Sequence, residues 1–334
     1  MTVDSDSELN QWLEMLRSPN ESDRLVAVKT LQHLGDEAAT DALIAVLQDK
    51  SVIVQKIAVT ALCELGNPVA VPALLECLAS PEEDIRSEAL SALTDLVSTE
   101  HLQLLLSALQ QQDINLQLNL LILLRKIHDA RSFSAVLSFF ESEHLQLREA
   151  AVTTLRYLNQ VKQCPQALLL LNDLNENVRR EAALTLGHLT DEGVVDLLSQ
   201  TLTSDTDWQV RRNAAKSLAI HAHPKAIPFV EKALKDEHWQ VRKFAIQVLH
   251  KLPETKLLPA LVAALTDRYS DVRKEAAIAL GYLSDPNALY ALKQALDDPD
   301  REVSIQAQRA IQKINLGGHS DKLGTACASR TLKE

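Results

Sequence analysis

One position, repeated at a nearly fixed interval, constrains this chain more than anything else in it. With Arg24 as the first anchor, equivalent positions follow at Gln55, Arg86, Gln117, Arg148, Arg179, Arg211, Arg242, Arg273 and Ser304. Successive anchors lie 31 residues apart, except for 32 between Arg179 and Arg211, where the loop Leu202–Asp205 absorbs the extra residue. Alanine stands three residues after every anchor but Gln117, which has Leu120. Seven residues after the anchor comes leucine, or Ile311 in the last unit, and ten after it comes leucine or isoleucine everywhere but His221. The spacing 0, 3, 7, 10 is one stripe of a 3.6-residue helix. A second stripe lies 15, 12 and 8 residues upstream of the anchor, as in Val71/Leu74/Leu78 and Leu258/Leu261/Leu265. Each unit is therefore a pair of helices, here called B and A in the order in which they precede and contain an anchor. A 31-residue pair cannot bury its stripes alone, so the units must stack.

Composition agrees with helices. Aromatic residues make up 4 % and glycines number 8, too few for strand-rich domains. Four cysteines without regular spacing give no disulfide framework. No apolar run approaches the length of a membrane span, and the acidic start Met1–Glu8 is unlike a signal peptide. These features predict a cytoplasmic protein without membrane insertion. The net charge of −11 is uneven: residues 1–160 hold 11 Lys/Arg against 23 Asp/Glu (−12), and residues 161–334 hold 23 against 22 (+1). Such a balance disfavours nucleic acid as a partner, because phosphate binding needs a basic stripe.

The stretches "DLNENVRREAALTLGHL" (173–189) and "DRYSDVRKEAAIALGYL" (267–283) resemble the HEAT-like repeats of the phycobilisome-lyase type. The resemblance covers about residues 8–315. It implies an all-α fold, a right-handed HEAT-like α-solenoid of about ten 31-residue hairpins forming one domain over 1–316. A capping helix over 8–18, with Ser5 and Glu8 as a capping box, and a flexible tail over 317–334 complete the expected organisation. Functions within the family include subunits of phycobilin lyases, which attach a tetrapyrrole to a phycobiliprotein cysteine, and a cyanobacterial partner of an A-type iron–sulfur carrier. Related deoxyhypusine hydroxylases hold iron through His-Glu pairs, and this chain has no His-Glu dipeptide.

The repeat explains most residues, leaving few for chemistry. The anchor arginines suit pairing with an aspartate row six residues before the anchors (Asp49, Asp173, Asp205, Asp236, Asp267, Asp298), which would tie neighbouring units together. Arg180, Arg212, Lys243 and Lys274 follow four consecutive anchors and form either a basic edge or a solvated face. Trp208 and Trp239 share one position, three before the anchor, and read as binding anchors or as loop packing. Cys77 and Cys164 fall at apolar register positions, Cys63 at a mixed one, and Cys327 in the tail is the accessible thiol. His221, His223, His188 and His250 near helix ends suit terminal carbonyls better than a metal. The fourth unit departs most, with Gln117, Leu120 and a nearly unbroken apolar helix.

No nucleophile–base arrangement, phosphate loop or ligand cluster stands out, so the expected function is a non-catalytic scaffold for a protein partner, without a cofactor. The B-helix positions off the apolar stripe would line the concave face of a solenoid. Glu76, Ser107, Gln110, Ser138, Glu141, Gln200, Lys232 and Lys235 occupy them, and with Trp208 and Trp239 they are the candidate partner-binding residues. The resemblance names an A-type iron–sulfur carrier or a phycobiliprotein as the partner, and a phycobilin lyase subunit as the alternative activity.

Overall fold

The computed structural model describes residues 5–158 and 160–328, with side-chain surroundings for those between 8 and 316. The Ser5 capping box and the Cys327 thiol lie outside the residues whose side chains are described. Among the described residues the chain is helical throughout, without strands. It divides into two compact units, Met1–Val161 and Lys162–Glu334, where the repeat alone had suggested one continuous array.

The first unit opens with a lone helix, α1 (Ser5–Met15), then alternates A and B helices. They are α2 (Glu21–Leu34), α3 (Thr40–Val46), α4 (Val52–Leu65), α5 (Val71–Cys77), α6 (Glu83–Leu96), α7 (Leu102–Ala108), α8 (Ile114–Ile127), α9 (Phe133–Leu137) and α10 (Leu145–Tyr157). The second unit continues with α11 (Pro165–Leu169), α12 (Glu176–Thr185), α13 (Val194–Ser204), α14 (Trp208–His221) and α15 (Ile227–Ala233). It ends with α16 (Trp239–Val248), α17 (Leu258–Ala264), α18 (Ser270–Leu283), α19 (Leu289–Gln294) and α20 (Arg301–Ala328). Even-numbered helices carry the anchors and are the A helices. Helix α20 runs past Asn315, where the apolar stripe stops; the expected tail over 317–334 otherwise falls outside the described side chains.

Register dictates burial. Ala27, Ala58, Ala89, Ala151, Ala182, Ala214, Ala245, Ala276 and Ala307 are all fully buried, as are Leu31, Leu62, Leu93, Leu218 and Leu280 seven residues after their anchors. Small residues let successive A helices approach closely. Gly187 and Gly281 are the extreme cases: a Cβ at Gly187 would stand 2.7 Å from the Ser217 Oγ on α14, and one at Gly281 3.1 Å from the Ala310 Cβ on α20. In the fourth repeat Leu120 fills the alanine position and is itself fully buried, with Leu121, Leu123 and Leu124 beside it.

Helix starts follow from the turn residues. Asn20, Ser51, Asp113, Asn175 and Asp207 each accept a backbone N–H of the first turn of their A helix, the ordinary capping chemistry. His238 and Tyr269 occupy the same position before α16 and α18 and provide no side-chain cap.

Candidate functional site

The anchor row is a set of clasps. Arg24 Nε and Nη2 donate to both carboxylate oxygens of Asp49 at 2.6 and 2.9 Å. The same two-pronged contact joins Arg179 to Asp205, Arg211 to Asp236, Arg242 to Asp267 and Arg273 to Asp298. Each of these arginines also donates through Nη1 to two carbonyls of its own turn, as Arg211 does to Asp205 O (2.9 Å) and Thr206 O (3.2 Å). Each aspartate accepts the backbone N–H two residues on, as Asp236 does from His238 (2.8 Å). One ion pair thus fixes a turn, a helix start and a neighbouring helix together, which is the tying role expected from the sequence. The Arg273 guanidinium holds Asp298 below the usual carboxylate range, against the opposing effect of burial.

Three interfaces inside the first unit lack the aspartate. Gln55 faces Ser80, Arg86 faces Gln111, and Gln117 faces Ser142 at the positions that elsewhere hold an arginine and its aspartate. Gln55 Nε2 donates to the Asp49 carbonyl, and Gln117 Nε2 to the carbonyls of Gln111 (2.9 Å) and Leu109 (3.3 Å). The amides therefore replace the intra-turn contacts without reaching across. Arg86 keeps its bonds to Ser80 O (2.7 Å) and Pro81 O (2.8 Å).

Hollows open at two of these interfaces. One of about 330 Å³ is lined by Gln55, Ser80, Val52, Ile85 and neighbours. The other, about 420 Å³, lies among Leu75, Leu104, Ala108, Gln111, Leu116 and Ser107. Glu76 and Ala79 line both, so they form one trough across repeats two to four. Its walls mix apolar side chains (Leu104 is 37 % exposed) with two carboxylates, Glu76, which is common to both hollows, and Glu82 in the first.

The candidate B-helix residues Glu76, Ser107, Gln110, Ser138 and Glu141 are all exposed in the first unit, and Gln200, Lys232 and Lys235 are exposed in the second. The trough brings Glu76 and Ser107 together, with Gln110 beside it on the turn after α7. Ser138, Glu141, Gln200, Lys232 and Lys235 line neither hollow. The sequence reading missed Gln111 and Leu116; the signal was the missing aspartate at position 111.

Trp208 and Trp239 are half-buried, each the first residue of its A helix. Trp208 stacks on the His238 ring at 3.6 Å between centroids, and Trp239 on the Tyr269 ring at 5.3 Å. The first residue of one A helix thus stacks on the uncapped position before the next. Loss of a side-chain cap costs about 0.5–2 kcal/mol, and an aromatic pair contributes about 0.5–1.5 kcal/mol beyond area burial. The exchange is close to neutral for stability.

One consequence is pH-dependent. Burial pushes the His238 ring below the usual histidine range, with Arg211, Arg212 and Arg242 acting the same way and Asp236 opposing. A histidine depressed in the folded state contributes stability that is present above its unfolded value of about 6.5 and lost as pH falls below it. His250, lowered by burial against the pull of Glu275, adds in the same direction. Denaturation midpoints should therefore fall between pH 7 and about 5, where histidines titrate. The variant His238→Phe, which keeps the stack, should show a shallower fall; an unchanged slope would refute the assignment.

The remaining candidates are structural. His221 Nε2 lies 2.8 Å from the Leu186 carbonyl, and the His223 ring accepts the Lys225 N–H at 3.2 Å. Cys164 is fully buried and Cys77 nearly so, and burial pushes the Cys77 thiol up to about 11. Among the described residues no three His, Cys, Asp or Glu side chains converge as metal ligands.

Paired helices at a fixed interval, joined by buried side-chain clasps, define an α-helical repeat protein. The chain belongs to the family of HEAT repeats, which it matches over residues 9–94, 164–238 and 227–312. No curated protein matches it in sequence. Among solved structures it is similar to an engineered protein, with 22 % identity and a TM-score of 0.52 over 92 % of this chain and 99 % of that one. It is also similar to a chain of the complex in which Kap95p binding induces the switch loops of RanGDP to adopt the GTP-bound conformation (14 % identity, TM-score 0.66, 93 % of this chain and 50 % of that one). A third likeness is to importin beta in an ammonium sulfate condition (20 % identity, TM-score 0.51, 93 % and 46 %). At these identities the likeness concerns the fold alone, and the chain spans about half the length of the latter two. Stacked-hairpin folds of this kind typically serve as protein-interaction scaffolds. Among the described residues no helix is long and apolar enough to cross a membrane.

Proposed function

We propose that this protein is a non-catalytic scaffold that captures a protein partner in the trough across repeats two to four. The observation that carries the reading is the coincidence of that trough with consecutive interfaces lacking the arginine–aspartate clasp. Where the clasp is present it occupies the edge between repeats; where it is absent, apolar side chains and the carboxylates of Glu76 and Glu82 are left to a ligand. A segment that inserts an apolar side chain between Leu75, Leu104 and Leu116 and sets a basic residue against Glu76 fits this surface. The charge of −12 over residues 1–160 favours the same kind of partner. Complexes of HEAT-fold proteins such as Kap95p with RanGDP support the general mode. The iron–sulfur and phycobilisome settings rest on the sequence resemblance.

Affinity purification from the native host tests this with the double variant Leu104→Arg/Ser107→Arg. Both side chains are exposed, so the melting temperature should stay within about 1 °C, consistent with small effects of surface substitutions. A partner recovered with the wild type should be absent with the variant. Equal recovery would remove the trough from the interface.

A further inference from the structure

The A helices of the second unit carry a feature that the trough does not use. On α14, Trp208, Arg212 and Lys216 succeed one another at four-residue spacing, which places them along one helical stripe. On α16, Trp239 and Lys243 repeat the first two positions, with Phe244 adjoining. The stripes interlock through cation–ring contacts: Arg212 lies 5.3 Å from the Trp208 ring, Lys243 6.0 Å from the Trp239 ring, and Lys216 4.6 Å from the Phe244 ring. All six side chains are half-buried, neither sealed in the core nor fully solvated.

Charge pairing lapses here. One repeat earlier, Arg180 is held by the Asp207 carboxylate at 2.6 and 2.9 Å. Arg212 is the equivalent residue, but His238 stands where its aspartate would be. Its guanidinium donates instead to the neutral oxygens of Asn213 (3.0 and 3.1 Å) and Gln240 (3.2 Å). Lys216 forms no ion pair among the described residues, and Lys243 reaches only Asp271, at 3.3 Å, which it shares with Lys274. Burial lowers both Arg212 and Lys216 from their ordinary values, and neighbouring cations add to this. Cations gathered together, partly desolvated and short of carboxylates, weaken the fold that holds them and strengthen attraction for an incoming anion.

We propose that this cation–aromatic face of α14 and α16 binds an acidic segment of a protein partner, its carboxylates meeting Arg212, Lys216 and Lys243 and its apolar side chains lying on the exposed parts of the two indoles. Arginine over indole, with uncompensated charge beside it, suits carboxylates interleaved with apolar residues. The inference shares with the scaffold reading only the idea of a protein partner. It concerns another surface and the opposite charge, so either can fail alone.

The test uses the full chain and a fluorescein-labelled peptide of alternating glutamate and leucine, with its glutamine counterpart as control. Anisotropy should report binding of the glutamate peptide that weakens as salt rises, accompanied by a change in emission from Trp208 and Trp239, two of the chain's three tryptophans. Arg212→Gln/Lys216→Gln/Lys243→Gln should weaken binding about tenfold or more. A second variant guards against misfolding: His238→Asp gives Arg212 the carboxylate that Arg180 already has, and should weaken binding while preserving the melting temperature. Absence of binding, equal affinity for the glutamine peptide, or unchanged affinity in both variants would overturn the proposal. So would displacement of the peptide by oligo(dT) at lower concentration than by unlabelled peptide, which would indicate a nucleic-acid surface. Recovery of the native partner by the Leu104 and Ser107 positions would be unaffected by any of these results.

Discussion

Asp236→Ala should destabilise the second unit by about 3–5 kcal/mol, the usual cost of leaving a buried charge without its partner. Arg211 and Asp236 are each about nine-tenths buried at the side chain, at 8 % and 10 % exposure, and the aspartate carries three jobs at once. It takes both prongs of Arg211 and the backbone N–H of His238, so truncation loosens α14, the turn and the start of α16 together. Arg211 would retain only the Asp205 and Thr206 carbonyls and Glu237, whose side chain is 86 % exposed. Because repeats contact mainly their neighbours, the loss should appear first as faster amide exchange in α14 and α16, before the first unit changes. A shift below about 1 kcal/mol in urea denaturation would mean that the clasp is ornamental to stability.

The opposite change should have the opposite effect on stability and a larger one on binding. Gln111→Asp restores the missing aspartate opposite Arg86, whose Nη1 is already placed on Ser80 O and Pro81 O as in the clasped repeats. A completed charge-assisted contact should stabilise that interface by about 1 kcal/mol. It also takes the Gln111 amide out of the wall of the hollow of about 420 Å³ and leaves a carboxylate turned to Arg86 in its place. Capture of the partner should then fall about tenfold or more, since the wall that meets the anchoring side chain is altered. Stabilisation with undiminished capture would separate the clasp from the binding surface.

Much of this molecule was written into its 31-residue register. The two helices per repeat, the buried alanines and the pairing of Arg24 with Asp49 or Arg273 with Asp298 all follow from positions that recur. What did not recur was harder to read. The trough is defined by missing partners at Ser80 and Gln111, and a gap in a row of aspartates signals a hollow only once the row is known to join repeats. The indole stacks depend on which residue precedes a helix. His238 and Tyr269 look like ordinary loop residues until their positions prove to be those that Asn20, Asp113 and Asp207 use as caps. The division after Val161 has no composition signal beyond the change from −12 to +1 in charge, because each repeat on either side of it still satisfies the same stripe.

The most direct test of the scaffold account is hydrogen exchange on the chain alone and with its purified partner. Protection on binding should concentrate in residues 47–55, 75–85 and 104–116, the walls of the trough, and should vanish in Leu104→Arg/Ser107→Arg. Protection confined to other repeats, or the same pattern in that variant, would contradict the claim that the unclasped interfaces are where this protein holds its partner.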